Sequence, residues 1–364
     1  MPDILLEKEC DVDGNEMSIK KSTYINVAIF GLGRIGKLHL HNLARTFRVN
    51  IKWIVDDISL HEDIRTLLQK YRLEHVTRLA SLEEADTVHS DTSVEVVFVC
   101  SPSWQHESIV KKSLTTGKHV FCEKPVALTV ETIESCYSLA KENNRILLCA
   151  FNRRFDPDLE VIYRKKQNGD LGKVRQLIMI SRDPPIPISY IKVSGGIFHD
   201  SSIHQLDYVC YFLGERPVTV VAHGNTTSLK ADDYRDCNDV DLSTIILTFP
   251  SGAIAVIEST RECLHGFDQH FEIVGSKAIA KCENTPLFAS KVLLATEIIQ
   301  DGCPDVFARF GKSYVAEVDH FLDVVQGKTE CLVKPHECIM ATELAHLCEE
   351  SLRTGQVVKV PQKN

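Results

Sequence analysis

Ile25-Asn-Val-Ala-Ile-Phe30 running directly into Gly31-Leu-Gly33-Arg34-Ile35-Gly36 is the stretch whose reading decides the fold. The first six residues are a short β-rich apolar run, and Lys37 to Phe47 (KLHLHNLARTF) that follows is helix-like, so the order is strand, glycine turn, helix. Each glycine has its own use. Gly31 permits the tight turn, Gly33 lets the backbone approach a pyrophosphate, and Gly36 lets the helix pack closely on its strand. Free N–H groups at the helix start then face the anion. The spacing predicts a dinucleotide site made by Gly31, Gly33, Arg34, Ile35 and Gly36.

A second apolar run, Ile51 to Val55, ends in Asp56 and Asp57. Asp56 stands twenty residues beyond Gly36, where a carboxylate accepts hydrogen bonds from the adenosine ribose and repels a 2′-phosphate, which favours NAD over NADP. An ordinary strand-end turn residue is the alternative. The alternation continues: helix-like Glu62 to Tyr71 and Leu82 to Thr87, strand Val94 to Cys100, helix Gln105 to Thr115, strand His119 to Cys122, helix Val130 to Asn143, strand Arg145 to Phe151. Such a pattern predicts a doubly wound parallel sheet.

Beyond about residue 150 the pattern changes. After a helix at Pro157 to Gln167, strand-like runs crowd together at Val174 to Arg182, Val218 to His223, Ser243 to Phe249, Ala253 to Thr260, His270 to Val274 and Ala278 to Cys282. Turns such as Pro250-Ser-Gly252 between them suit an open, mostly antiparallel sheet in an α+β domain. Further helices are predicted at Ile203 to Leu213, Ser313 to Val325 and Pro335 to Arg353. The chain is read as an α/β protein with an arm at 1–22, a Rossmann domain at 23–150, and a substrate-binding and oligomerisation domain at 151–364.

At 364 residues the chain is long enough for two cores with a cleft between them. Its 41 Lys and Arg against 50 Asp and Glu leave a net charge of −9, which argues against a protein built to neutralise nucleic-acid phosphates. Thirteen Cys, without a Cys-x-x-Cys pair, describe neither a disulfide framework nor a zinc ribbon. Free thiols, a polar N-terminus and no run of 18 apolar residues lead to the expectation of a cytoplasmic protein bound to neither membrane nor nucleic acid.

Two segments carry candidate chemistry. Lys118-His-Val-Phe-Cys-Glu123-Lys124-Pro125 places Glu123 and Lys124 beyond a strand's carboxyl end, where ligands bind in open α/β sheets; an exposed loop lysine is the alternative. In Asp200-Ser-Ser-Ile-His204-Gln-Leu-Asp207 the three titratable residues stand at i, i+4 and i+7, one face of an α-helix. Carboxylate beside imidazole suits proton transfer, since the carboxylate orients the ring and adjusts its pKa. A capping Asp200 with a solvated His204–Asp207 pair is equally compatible with the pattern. His199, Asp200 and His204 as metal ligands lack a convincing fourth donor, and no metal is expected. Trp104 and His106 are expected to line the turn after Cys100. Arg153 and Arg154 fit either a salt-bridged core edge or a cleft contact.

Together GLGRIG (31–36), Asp56, Cys-Glu-Lys-Pro (122–125), Phe-Asn-Arg-Arg-Phe-Asp (151–156), Asp200-x-x-x-His204-x-x-Asp207 and Phe271-Glu-Ile-Val-Gly275 resemble the Gfo/Idh/MocA oxidoreductases, and within them most closely the myo-inositol 2-dehydrogenases. The resemblance spans nearly all of the chain after residue 23. It implies an NAD-dependent dehydrogenase that oxidises a secondary CH–OH of a cyclitol or sugar to a ketone or lactone. The implied catalytic residues are Lys124, Asp200 and His204, with Ser101, His106, Glu123 and Lys124 joining the glycine turn and Asp56 around the cofactor. Lys124, Arg154, Asp183, Asp200, His204 and Asp207 are the implied substrate contacts, and a homo-oligomer, tetramer or dimer, is expected. The chain departs from the inositol dehydrogenases at Ser181-Arg-Asp183-Pro184, where they carry His-Arg-Asn-Pro, and at His265-Gly-Phe267-Asp268, where they carry Tyr-Gly-Tyr-Asp. These departures leave the hydroxyl pattern of the substrate open. A non-catalytic NAD-binding sensor and an NADP-dependent dihydrodiol dehydrogenase-like enzyme are the competing readings; intact Lys124, Asp200 and His204 oppose the first, and Asp56 the second.

Overall fold

A computed structural model describes residues 24–362 apart from 229, 285 and 289; the expected arm at 1–22 lies outside the described residues. Six strands, β1 (Ile25–Phe30), β2 (Val49–Val55), β3 (Arg78–Ala80), β4 (Val96–Val99), β5 (His119–Glu123) and β6 (Leu147–Ala150), form a parallel sheet in the order β3-β2-β1-β4-β5-β6. The crossovers contain α1 (Arg34–Arg45), α2 (His61–Lys70), α3 (Ala85–Ser90), α4 (Ser103–Thr115) and α5 (Val130–Glu142). Helices cover both faces, so every residue of β4 and β6 is buried, which explains their unbroken apolar runs. Strand β3 was not anticipated, because three residues with one buried side chain show no periodicity. The strand order reverses between β1 and β4, which opens a crevice at their carboxyl ends.

Helix α6 (Pro157–Gln167) leads into the second sheet, its start fixed by Pro157 and by the Asp156 carboxylate accepting the N–H groups of Asp158 and Leu159. Next come β7 (Val174–Arg182), α7 (Ile188–Ile191), α8 (Ile203–Leu213), β8 (Thr219–Asn225), α9 (Ala231–Asp236), β9 (Leu242–Thr248), β10 (Ile254–Thr260), β11 (Asp268–Gly275), β12 (Ile279–Cys282), the small hairpin β13–β14 (Val292–Leu293, Ile298–Ile299), α10 (Val306–Val325), α11 (Pro335–Thr354) and β15 (Val358–Lys359). The sheet order is β12-β11-β7-β10-β9-β8-β15, antiparallel except where β10 runs parallel to β7. Side chains alternate along it. Leu177, Ile245, Leu247, Ala255, Ile257 and Ile273 are buried, whereas Leu242, Ile246, Ile254 and Ile279 are exposed on the opposite face.

Helix α8 is buried from Ile203 through Cys210, its apolar residues packed on both sides and its Asp207 paired with Arg154. Its first residue, Ile203, joins the core of the parallel sheet, while Leu206 and Val209 join that of the second sheet. Helices α10 and α11 also reach both halves. Val318, Phe321 and Leu322 pack with Phe98 and Phe121, and α11 puts Cys338 and Ala341 in one core and Leu344, Ala345 and Cys348 in the other. Each large apolar side chain so buried contributes about 1.5–3 kcal/mol. The segment before α8 is thereby held at the junction of the two sheets.

Candidate active site

The glycine turn gives each glycine a measurable reason. Gly31 has φ +88°, and a Cβ there would lie 2.6 Å from the backbone of Ser101; a Cβ on Gly36 would lie 2.0 Å from the Gly31 carbonyl oxygen. Around Gly33 nothing lies within 4 Å of a would-be Cβ. The first and third positions therefore close the turn against β4 and α1, and the second faces open space at the start of α1, as a bound pyrophosphate requires. Asp56 ends β2 half-buried, its Oδ2 accepting the Leu32 N–H at 2.5 Å and its Oδ1 the Asp57 N–H at 2.8 Å. It thus braces the turn, and spare lone pairs remain for ribose hydroxyls. Arg34 and Ile35 direct their side chains elsewhere: the Arg34 guanidinium lies 5.9 Å from the Phe307 ring, and Ile35 packs on the Phe267–Phe310 cluster.

At the reversal of strand order Ser101 follows β4, its Oγ buried without a hydrogen-bond partner among the described residues. An orphaned hydroxyl beside the glycine turn is a fitting contact for a dinucleotide. His106 is buried; its Nε2 lies 2.8 Å from the Ser101 carbonyl oxygen and its Nδ1 2.7 Å from that of Pro125. It ties the loop after β4 to the Lys124-Pro125 segment, while Trp104 is exposed. Glu123 turns away from the crevice. Its Oε1 meets Nε2 of His39 on α1 at 2.7 Å, both side chains buried, a strut between β5 and the dinucleotide helix.

Lys124 reaches across the junction of the two sheets. Its Nζ donates to the Asp200 carbonyl oxygen at 2.5 Å and to Asp200 Oδ1 at 3.0 Å. The same carboxylate accepts the Tyr190 hydroxyl at 2.9 Å on Oδ1 and Nη2 of Arg261 at 3.1 Å on Oδ2. Burial alone would raise the Asp200 carboxyl, but Lys124 and Arg261 outweigh it, and the group titrates below the ordinary range. Burial and the neighbouring carboxylate push the Tyr190 phenol up, so it stays a donor.

His204 lies close by with 9% exposure, edge-on to Phe151, and its Nδ1 has no partner among the described residues. Burial, then the positive charges of Arg153 and Lys124, hold its imidazole well below the usual value, so the ring is neutral at pH 7. Asp200 does not hydrogen-bond the ring. Residues 198–202 form a π-helical turn before α8, so the single α-helical face expected for Asp200, His204 and Asp207 does not exist. The Asp200 carboxylate is held by Lys124, Tyr190 and Arg261 instead.

Asp207 and Arg154, both expected at the substrate, meet each other. Arg154 binds both carboxylate oxygens of Asp207, through Nε at 2.8 Å and Nη2 at 2.6 Å, and donates to Glu337 Oε2 at 2.7 Å; the Arg154 and Asp207 side chains are 0% and 1% exposed. The three side chains form a buried clamp tying α8 to α11. Asp183 stays near the site, accepting the Ser201 hydroxyl at 3.2 Å, with burial raising its carboxyl against the pull of Arg153. Phe267, expected among the hydroxyl-reading positions, is buried edge-on against Phe310. Tyr190 and Arg261, which motif reading did not single out, both meet the Asp200 carboxylate. Arg261 follows directly on β10, a charged residue ending an apolar alternation, and it also binds Asp239 at 2.7 Å.

The doubly wound sheet with its glycine turn at the reversal point defines a dinucleotide-binding oxidoreductase of two-sheet architecture. Residues 25–151 match the Gfo/Idh/MocA oxidoreductase family's NAD-binding Rossmann fold, and residues 167–360 match its C-terminal alpha/beta domain. The chain belongs to this family and is an NAD-binding oxidoreductase like the inositol 2-dehydrogenases. It is 32% identical over 339 residues to the uncharacterized oxidoreductase YrbE of Bacillus subtilis, covering 92% of this chain and 96% of that one. It is 31% identical over 347 residues to the myo-inositol 2-dehydrogenase of Thermotoga maritima, covering 93% and 99%. The crystal structure of a myo-inositol dehydrogenase from Corynebacterium glutamicum superposes with a TM-score of 0.84 at 28% identity, over 94% of this chain and all of that one. Among the described residues no helix is long and apolar enough to cross a membrane, and twelve cysteines are unpaired.

Proposed function

We propose that this protein oxidises a secondary CH–OH of an inositol-like cyclitol to the ketone. The observation that carries the reading is the meeting of Lys124, Asp200, Tyr190 and the neutral, unpartnered His204 at the junction where the dinucleotide turn ends. The C-terminal unit from about residue 151 forms the substrate side of that junction. Bound NAD supplies the hydride acceptor; the protein positions the carbinol and moves its proton. The neutral His204 imidazole accepts the hydroxyl proton. Lys124 donates to the same oxygen as negative charge develops on it, and Asp200 holds the ammonium in place while staying ionised. Asp183 reads a further hydroxyl, and its difference from the Asn of inositol dehydrogenases tunes which cyclitol fits.

The similarity to a myo-inositol 2-dehydrogenase over almost the full length of both chains supports a cyclitol over an aldose. Purified protein is incubated with NAD and myo-inositol, scyllo-inositol or D-glucose, and NADH absorbance is followed. Cyclitol-dependent reduction is expected to exceed that with glucose; NAD binding without reduction by any cyclitol would overturn the reading. We also infer a homo-oligomer, since exposed Leu242, Ile246, Ile254 and Ile279 share the outer face of the second sheet. Light scattering at micromolar concentration is expected to exceed the 40.9 kDa of one chain.

A further inference from the structure

Behind the catalytic turn lies a cluster that neither the cofactor nor the proposed substrate uses. His199, one residue before Asp200 on the π-helical turn, does not join Asp200 and His204; its Nε2 lies 3.3 Å from Glu349 Oε1 on α11. His346, three residues before Glu349 and so on the same face of α11, places Nδ1 3.6 Å from Glu349 Oε2. The two imidazole centroids are 4.4 Å apart. One donor atom from each of the three residues lies within 4.8 Å of the others.

We propose that His199, His346 and Glu349 form a binding site for a divalent transition metal of the zinc type, bridging the catalytic turn to α11. Two imidazoles and a carboxylate are the donor set such ions take, with water completing a tetrahedron, whereas calcium and magnesium require oxygen ligands. Donors bound about 2.0–2.2 Å from one ion sit roughly 3.5 Å apart, so small side-chain rotations complete the site. The His346 and Glu349 side chains are 44% and 48% exposed, which gives the ion a path in, while His199, at 10%, anchors it to the interior. The expectation of no metal, drawn from His199, Asp200 and His204, considered a different set.

The test uses tag-free full-length protein, chelator-treated and titrated with Zn²⁺ by calorimetry and with Co²⁺ by visible absorbance. One equivalent per chain is expected, with visible Co²⁺ bands and without the near-ultraviolet charge transfer that thiolate ligands produce. His346→Ala and Glu349→Gln should each weaken binding at least about tenfold and abolish the metal-induced rise in melting temperature. Metal-free turnover in both variants should match the wild type. Failure to bind an equivalent of either ion, or binding that survives both substitutions, would overturn the site and leave the cluster a plain ion pair; the cyclitol assay decides the catalytic reading independently.

Discussion

Asp200 and Asp207 stand seven residues apart in one continuous helical segment, and the fold treats them oppositely. Asp207 gives both oxygens to Arg154 and is sealed between α8 and α11. Asp200 is held from three sides by Lys124, Tyr190 and Arg261, yet keeps its edge on the junction where Lys124 also reaches. A carboxylate in a sequence announces an acceptor. Whether that acceptor serves architecture or chemistry depends on which cation arrives first and on what remains open to a ligand.

The largest expected effect lies with His204, on the Asp200 side of that contrast. His204→Ala should lower kcat about 10²–10⁴-fold while leaving the fold intact. In the wild type the acidic limb of kcat against pH should fall below 6.5, because burial and the neighbouring cations depress the imidazole, and that limb should vanish in the variant. An unchanged profile would remove His204 from the mechanism.

On the Asp207 side, Arg154→Met strands the buried carboxylate and should cost about 3–5 kcal/mol, read as a drop in denaturant midpoint. Any folded fraction should keep near-normal kcat. A selective loss of turnover in well-folded protein would return Asp207 to the site and erase the contrast.

Asp56 is an intermediate case, a carboxylate that braces the Leu32 N–H while half-buried and open to a ligand. Asp56→Ala should shrink the NAD-to-NADP ratio of kcat/KM by about tenfold, the worth of one lost hydrogen bond and a relieved repulsion. A ratio that does not move would make Asp56 a turn brace only. The smallest effect concerns Tyr190→Phe, which removes one of the donors holding Asp200. About 1 kcal/mol, or some fivefold in kcat, is expected without a shift in KM for NAD.

The two halves differ in how much of them the chain displays. In the parallel sheet the glycine spacing, the apolar strands and Asp56 fall within one β-α-β unit of residues 25–56, so the turn was readable from a short stretch of chain. The second half was also visible, with strand Val174–Arg182 and helix Ile203–Leu213 falling where the alternation and the apolar run placed them. The π-helical turn at 198–202 was not visible, since no local residue pattern separates it from α-helix, and it redirected both Asp200 and His199. Glu123 likewise looked like a cleft residue until His39 from the first helix met it.

By itself, the chain determined a doubly wound sheet joined to an antiparallel one, an NAD-binding glycine turn, and a short roster of reactive residues. Those properties follow from spacings of a few residues and from periodic burial, which act locally. Only the tertiary structure decided that Arg154 pairs with Asp207, that Arg261 and Tyr190 hold Asp200, and that His204 is neutral with its Nδ1 unpaired among the described residues. Each of those outcomes is a competition among charges and donors tens to hundreds of residues apart, settled by which side chains packing brings within about 3 Å and by how completely water is excluded around them.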